Sequence, residues 1–298
     1  MTTAARLLRL TVVAALIAVS SAGTAAARSH HRAVTRTAPV LSPTTPVTRG
    51  SGYVALGDSV TFGYQEPQVV PAPNYLSAAT FPGYPEQIEK ALHLKVANFS
   101  CPGETAASLI NASAPSNGCE NGYRKLYPLH MRYTGSQLAA AITYLRAHPG
   151  VRLVSLMIGA NDLFRCQGAS GGCTPALLRT TLASISSDVK QTLSAVRGRA
   201  GYRGQIVILN YYSLNYSVAL LSAFSLALNR AQDSAARPFH VRIADGYGEF
   251  QAGSTKFGAS PCLAGLITQL GSYGTCGVHP TYAGQALLAK AVTAATLF

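Results

Sequence analysis

From Gly52 onward, short apolar segments rich in β-branched residues alternate with longer segments of helical periodicity. The short segments are continuously apolar, which is typical of strands in a sheet covered on both faces. Because helical segments separate them, neighbouring strands should be parallel and joined by right-handed crossovers. We therefore predict a three-layer α/β/α fold. The predicted strands are 53–56, 95–99, 153–158, 206–209 and 241–244, and the main predicted helices are 84–92, 135–147, 175–196, 217–236 and 282–296.

The first 27 residues do not follow this pattern. Arg6 and Arg9 precede an apolar run at 10–19, and small residues ending in Ala25-Ala26-Ala27 come after it. This is the order of a secretory signal peptide. The run is about half of the roughly 20 residues that a helix needs to cross a bilayer. We therefore expect residues 1–27 to be removed and the protein to be secreted to the extracellular space, with no stable membrane anchor.

Residues 28–50 are rich in Arg, Thr, Pro and Ser and have no periodic apolar pattern. Such a segment cannot bury enough apolar surface to offset the loss of chain entropy, so we predict a linker. The adjacent His30 and His31 lack a fixed geometry and further ligands, and we predict no metal site there. One domain should occupy residues 51–298.

The formal net charge of +13 is unevenly distributed along the sequence, which matters when it is used to predict a partner. Six arginines among the first 50 residues, where there is no acid, account for six of these charges and leave +7 for the remainder. That remainder contains no run of Lys and Arg of the kind that binds nucleic acid. We therefore expect no nucleic-acid partner. Since 48% of the residues are hydrophobic, the chain can form one sizeable core.

The six cysteines can pair in 15 ways. No C-x-x-C motif and no Cys/His spacing suited to zinc occurs among them, which favours disulfides over a metal site. The cysteines fall into three successive pairs of near neighbours, and export would allow disulfides to persist. We predict the pairs Cys101/Cys119, Cys166/Cys173 and Cys262/Cys276.

Polar residues follow three of the predicted strands and precede the last helix. In parallel sheets, ligands bind beyond the carboxyl ends of the strands, so these residues should converge on one edge. The segments are Gly57-Asp58-Ser59, Ser100-Cys101-Pro102-Gly103, Gly159-Ala160-Asn161-Asp162 and Gly277-Val278-His279-Pro280.

These residue types together suit acyl transfer. A serine hydroxyl needs an imidazole to accept its proton, which predicts Ser59 as nucleophile and His279 as general base. The developing oxyanion needs positioned donors, for which we predict the Ser59 amide, the Gly103 amide and the side-chain amide of Asn161. Gly103 has no Cβ, so that a substrate can approach its N–H closely.

Taken in order, the four segments resemble the sequence blocks of the GDSL-type SGNH hydrolases over about residues 53–298. The matching residues are Gly57-Asp58-Ser59, Gly103, Gly159 to Asp162 and His279-Pro280. The resemblance implies a flavodoxin-like fold with a five-stranded parallel sheet and a serine esterase that works through an acyl-enzyme. It also implies no metal and no organic cofactor.

One position departs from this family's pattern. Three residues before the histidine the family usually has an aspartate, and this chain has Cys276. Some secreted actinobacterial-type esterases and lipases, which the chain resembles in having six cysteines, use a main-chain carbonyl to orient the histidine. We therefore expect the carbonyl of Cys276 or Gly277 to accept the Nδ1–H bond of His279.

Other candidate groups have simpler explanations. Asp245 follows the fifth predicted strand, but an aspartate at such a place more often caps a turn. Asp58 and Asp162 should organise hydrogen bonds among the sequence blocks. The segment 168–172 fits G-x-S-x-G, yet it lies between Cys166 and Cys173 and lacks the strand and helix that this motif requires.

The sequence thus predicts a monomeric secreted serine esterase or lipase that acts on acyl-lipid or short-chain acyl esters. The absence of Trp and the abundance of Tyr and Leu fit an apolar acyl site. A carbohydrate or cell-wall O-deacetylase is the alternative among enzymes. From another class, the alternative is a non-catalytic exported binding module on the same fold.

Overall fold

A five-stranded parallel sheet is the centre of the computed structural model, which describes residues 41–271 and 275–298. The strands are β1 (Gly52–Gly57), β2 (Lys95–Asn98), β3 (Val151–Met157), β4 (Gln205–Leu209) and β5 (Arg242–Ala244). Their order in the sheet is β2-β1-β3-β4-β5, and the fold class that the sequence predicts is confirmed.

Helices flank the sheet in two packed groups. The helices are α1 (Ser59–Phe62), α2 (Tyr84–Leu92), α3 (Ala106–Ile110), α4 (Arg124–Leu126), α5 (Gln137–Ala147), α6 (Ala160–Gln167), α7 (Pro175–Gly198), α8 (Ala219–Ala236), α9 (Gly246–Ser254) and α10 (Tyr282–Ala294). One group contains α2, α9 and α10, and the other contains α3, α5, α6, α7 and α8. Single turns of other helix types occur at Ala78–Thr80, Cys119–Tyr123, Arg237–Phe239 and Thr255–Phe257.

The sheet interior explains why the strands are apolar without alternation. Every residue of β4 is buried, as are five of the six residues of β1. The register pairs Leu56 with Leu156 and Ala55 with Asn98, so that β1, β2 and β3 end at one edge. The polar residues that follow these three strands are therefore brought close together.

A separate antiparallel pair lies near the end of the chain. It consists of β6 (Ile267–Leu270) and β7 (Thr275–Pro280), and the sequence pattern does not predict it. The segment is rich in Gly and Thr and lacks the alternation of a half-buried hairpin. This pair is important for the site because β7 carries His279.

The predicted cysteine pairs are the pairs observed. Disulfides join Cys101 to Cys119, Cys166 to Cys173 and Cys262 to Cys276. The last of these anchors β7 three residues before His279.

The end of the predicted linker packs against the domain, contrary to the prediction for 28–50. Val47 is 1% exposed and its amide donates to the carbonyl of Leu297 at 2.8 Å. Arg152 also donates to the carbonyl of Pro46 at 3.0 Å. Residues 41–50 therefore belong to the folded structure because they supply a core side chain and paired carbonyls.

The predicted signal peptide and residues 28–40 lie outside the described residues. Within 41–271 and 275–298, none of the helices has the length and apolar character that a membrane span requires.

Candidate active site

Ser59 is the first residue of α1, directly after β1. Asp58 caps this helix, because its carboxylate accepts a hydrogen bond from the Val60 amide at 2.9 Å. The first amides of a helix have no acceptor within the helix, so the Ser59 N–H remains available to a ligand. The short strand-to-helix turn thus presents both the hydroxyl and the amide of Ser59 at the edge of the sheet.

His279 bridges Ser59 and a carboxylate. Its Nε2 lies 2.9 Å from Ser59 Oγ, and its Nδ1 lies 2.8 Å from Glu66 Oε1. The ring of Tyr64 packs edge-on against the imidazole, with 4.8 Å between the centroids. Ser59, His279 and Glu66 therefore form one continuous hydrogen-bonded row.

The expected main-chain acceptor for His279 is wrong. The Nδ1 hydrogen bond goes to Glu66 and not to the carbonyl of Cys276 or Gly277. Glu66 stands in the loop after α1, where no sequence motif marks it as a site residue. The sequence indicates its role only weakly: Glu66 is one of 11 acidic residues and lies seven positions after the predicted nucleophile.

The Glu66 carboxylate is held by donors from both strands of the hairpin. Oε1 also accepts from the Val278 amide at 2.8 Å, and Oε2 accepts from Thr268 Oγ1 at 2.6 Å. Burial alone would raise the pKa of this carboxyl. The hydrogen bond and charge of His279, together with the other two donors, outweigh burial and lower the pKa to about 2. Glu66 is therefore ionised at neutral pH.

Gly277 makes room for this carboxylate. A Cβ at Gly277 would lie 2.5 Å from Glu66 Oε1 and 2.1 Å from Thr268 Oγ1. Both distances are far below contact distance, so any side chain here would displace the acid. Gly277 thus contributes by leaving space, although its carbonyl does not have the predicted role.

The structure brings the predicted oxyanion donors to the same cleft as Ser59 and His279. Gly103 has φ +86°, and a Cβ there would lie 2.5 Å from the carbonyl of Asn117. Asn161 donates one hydrogen bond from Nδ2 to the Glu104 carbonyl at 3.0 Å and accepts one from Asn117 at 3.0 Å. Because an amide nitrogen carries two hydrogens, the second is free to donate to a ligand.

Three further carboxyls lie behind the site, and burial raises the pKa of each. Asp58 accepts from the Tyr211 hydroxyl and has a pKa of about 6. Asp162 accepts from the Ala106 amide at 3.0 Å, and Glu104 accepts from Gln137 at 3.0 Å; each has a pKa of about 7. The contact of Asp162 supports its predicted organising role, because it joins the segment 159–162 to the one that follows Gly103. Asp58 instead contacts its own segment and Tyr211.

Asp245 caps α9, as its position after a strand predicts. Its carboxylate accepts from the Gly248 amide at 2.8 Å.

One side-chain cluster among residues 41–271 and 275–298 has the spacing of metal ligands, namely Cys101, Glu104 and Cys119. The two cysteines are joined in a disulfide, so neither offers the thiolate that binds a metal ion. The residues of this cluster therefore do not fit a metal ion.

Two clefts meet at Ser59. The first, which we call the leucine groove, has a cavity volume of about 100 Å³ and runs between α6 and α8. The second, which we call the tyrosine cleft, has a cavity volume of about 390 Å³ and lies on the side of Gly103. The characteristic residues of the leucine groove are Leu163, Phe164, Leu214, Leu221, Phe224 and Leu228. Those of the tyrosine cleft are Tyr64, Asn117, Tyr123, Leu126 and Tyr127.

Comparison with known proteins gives a family match. A sequence model described as the GDSL-like Lipase/Acylhydrolase family matches residues 55–287. No curated protein matches the chain.

Several solved structures share the fold. A lipase, Lip_vut3, from a goat rumen metagenome has 16% identity and a TM-score of 0.54, over 82% of this chain and 97% of that one. A catalytic mutant of an acetylxylan esterase from Geobacillus stearothermophilus has 14% identity and a TM-score of 0.52, over 84% and 95%. A putative GDSL-like lipase from Parabacteroides merdae has 15% identity and a TM-score of 0.52, over 85% and 99%. At these identities the likeness shows the fold alone.

Proposed function

Because the chain belongs to the GDSL-like lipase/acylhydrolase family and is a carboxylic ester hydrolase, we propose that it cleaves its ester through an acyl-enzyme on Ser59. The observation that carries this proposal is the hydrogen-bonded row from Ser59 Oγ through His279 to Glu66. Nucleophile, base and orienting acid are each within hydrogen-bond reach of the next, as acyl transfer requires.

In the acylation step, His279 Nε2 takes the proton from Ser59 as the hydroxyl attacks the ester carbonyl. The amides of Ser59 and Gly103 and Nδ2 of Asn161 donate to the oxygen that becomes negative. His279 then gives the proton to the leaving alcohol, which departs. A water molecule attacks the acyl-enzyme in the same way, and the proton returns to Ser59 through His279.

Glu66 is proposed to orient His279 and to stabilise the imidazolium. It accepts the Nδ1–H bond, which keeps the unprotonated Nε2 directed at Ser59. Since its pKa of about 2 keeps it ionised, it also compensates the positive charge that His279 acquires in each transition state.

The substrate is proposed to be an acyl-lipid or short-chain acyl ester. The leucine groove beside Ser59 supports this proposal because it offers apolar side chains to an acyl chain. A carbohydrate or cell-wall O-deacetylase is the second candidate, and the polar groups of the tyrosine cleft favour it. A non-catalytic binding module is excluded because the chain is an ester hydrolase.

The protein is further proposed to be secreted. The order of charged, apolar and small residues at 1–27 supports this, and so do three disulfides, which persist mainly in oxidising compartments.

A series of p-nitrophenyl acetate, butyrate and palmitate tests the proposed function. Wild type should release p-nitrophenol, and kcat should fall by about a thousandfold or more in Ser59→Ala and in His279→Ala. The variant Ser170→Ala is a matched control in the disulfide loop and should keep full activity. Turnover that survives Ser59→Ala would exclude the acyl-enzyme. A strict preference for acetate, with acetylated glycans cleaved better than acyl lipids, would favour the deacetylase.

A further inference from the structure

The two clefts that meet at Ser59 differ in chemistry. Ser59, Asn161, Phe164, Val278 and His279 line both of them. An ester has two parts, an acyl chain and an alcohol, which lie on opposite sides of the bond to be cleaved. Because two clefts meet at the nucleophile, we expect the acyl chain to bind in one cleft and the alcohol in the other.

Three polar side chains inside the leucine groove are already bonded within the protein. The Tyr211 hydroxyl donates to Asp58, and the Tyr212 hydroxyl donates to the Val278 carbonyl at 2.6 Å. Ser225 Oγ donates to the Tyr212 carbonyl at 3.0 Å. A ligand in this groove thus meets mainly apolar surface and few free hydrogen-bonding groups, which favours a hydrocarbon chain.

The groove follows α8 outward from the sheet edge. Leu228 is 1% exposed at its inner end, and Leu221, two turns earlier on the helix, is half-buried. Leu221 and Leu228 are seven residues apart, or about 10 Å along the helix. An extended chain advances about 1.2 Å per bond, so this stretch matches about eight bonds of an acyl chain.

The tyrosine cleft has an unsatisfied polar group. Tyr123 is 8% exposed, and its hydroxyl is buried without a hydrogen-bond partner in the part of the chain that the structure describes. The rings of Tyr64 and Tyr127 pack against it, with centroids 5.8 and 5.3 Å away. A buried hydroxyl without a partner is costly, and a ligand in the cleft that reaches it after a small rotation of the Tyr123 side chain would remove this cost.

We infer that the acyl chain binds in the leucine groove and that the leaving alcohol, a polyol, binds in the tyrosine cleft with Tyr123 as a polar contact. The inference rests on the proposed acyl-enzyme and extends it to a substrate class: an ester of a medium-length acyl chain with a hydroxylated alcohol. Aromatic faces would cover the carbon skeleton of the polyol while Tyr123 bonds one of its hydroxyls.

The alcohol site is tested by partitioning of the acyl-enzyme. With p-nitrophenyl octanoate as donor, the acyl group passes to water or to an added alcohol, whose hydroxyl proton His279 accepts and returns to Ser59. Glycerol and 1-propanol are added at equal concentration, and methyl glucoside distinguishes a sugar from glycerol. The readout is the ratio of new ester to free octanoate.

Wild type should transfer more octanoyl to glycerol or to methyl glucoside than to 1-propanol. In Tyr123→Phe this advantage should fall by about fivefold, the effect of one lost hydrogen bond. Tyr282→Phe, on the exposed start of α10, is the matched control and should keep the advantage. Equal ratios for all three alcohols in wild type, or an unchanged advantage in Tyr123→Phe, would overturn the alcohol assignment.

The acyl site is tested by the ratio of kcat/KM for octanoate to that for acetate. Phe224→Trp should lower this ratio by about tenfold or more, because the larger ring fills the groove. Phe257→Trp, at an exposed position outside both clefts, should leave the ratio unchanged. If Phe224→Trp does not fold, Leu221→Ala serves instead and should lower the ratio by loss of apolar contact.

The acyl assignment would be overturned if the octanoate-to-acetate ratio stayed unchanged in the folded Phe224 or Leu221 variant. It would also be overturned if Tyr123→Phe lowered this ratio and the groove variant did not. Failure of this inference is distinct from failure of the proposed function. Loss of turnover in Ser59→Ala with unaltered ratios in the cleft variants would remove only the inference. Turnover in Ser59→Ala would remove the acyl-enzyme itself.

Discussion

At the scale of single residues, the orientation of His279 depends on a carboxylate that is distant in the sequence. Glu66 is 213 residues before His279, in the loop after the helix that begins with Ser59. Thr268 and the Val278 amide hold this carboxylate, and Gly277 leaves the space for it. An acid thus reaches the usual position beside the imidazole although Cys276 replaces the aspartate of the family pattern.

Glu66→Gln should lower kcat by about a thousandfold, since loss of the orienting acid in serine hydrolases has effects of this order. Glutamine keeps the size of the side chain but removes the charge that compensates the imidazolium. The measurement is kcat on p-nitrophenyl butyrate with thermal unfolding as a check of folding. Glu249→Gln, whose side chain pairs with Lys290 at the surface, is the matched control and should keep wild-type kcat. Wild-type kcat in Glu66→Gln would contradict the role of this acid.

At the scale of secondary-structure elements, the sequence predicts the strands and helices that have a regular apolar pattern. Strands β1, β3 and β4 are mostly apolar, with Arg152, Ser155 and Gln205 as exceptions, because both faces of the sheet are covered, and so their positions are evident. Ser59, Gly103 and Asn161 follow strands and could be placed at one edge by topology alone.

The remaining parts of the site lie in irregular segments. The β6–β7 hairpin brings Thr268 to Glu66, yet it has no alternating pattern and its strands are only four and six residues long. Glu66 itself lies between α1 and α2, where no periodicity indicates which way a side chain points. The main-chain acceptor was therefore predicted incorrectly, because the choice of acceptor depends on tertiary packing of two irregular segments.

At the scale of the whole molecule, buried carboxyls link stability to pH. Burial raises the pKa of Asp58 to about 6 and those of Glu104 and Asp162 to about 7. In the unfolded chain these groups ionise near pH 4. The folded state therefore binds more protons between about pH 4 and 7, and its stability falls as pH rises through this window. Glu66, whose pKa is lowered, has the opposite effect: it makes stability rise with pH, but only below about pH 4.5.

We expect the midpoint of thermal unfolding to be higher at pH 5 than at pH 8 by about 3 °C or more, the shift that about 1 kcal/mol produces in a domain of this size. Scanning calorimetry across this range measures it. Asp162→Asn removes one of the buried acids and should make the dependence shallower. A midpoint that stays constant or rises from pH 5 to pH 8 would show that these carboxyls are not neutral when buried.

The central claim is that Ser59 is a nucleophile activated by His279. The most direct measurement is mass spectrometry of the protein after reaction with a fluorophosphonate, followed by identification of the modified peptide. The account predicts one adduct per chain, on Ser59, with no adduct in Ser59→Ala and labelling at least about a hundredfold slower in His279→Ala. An adduct on another residue, or no adduct on an enzyme that turns over esters, would contradict it.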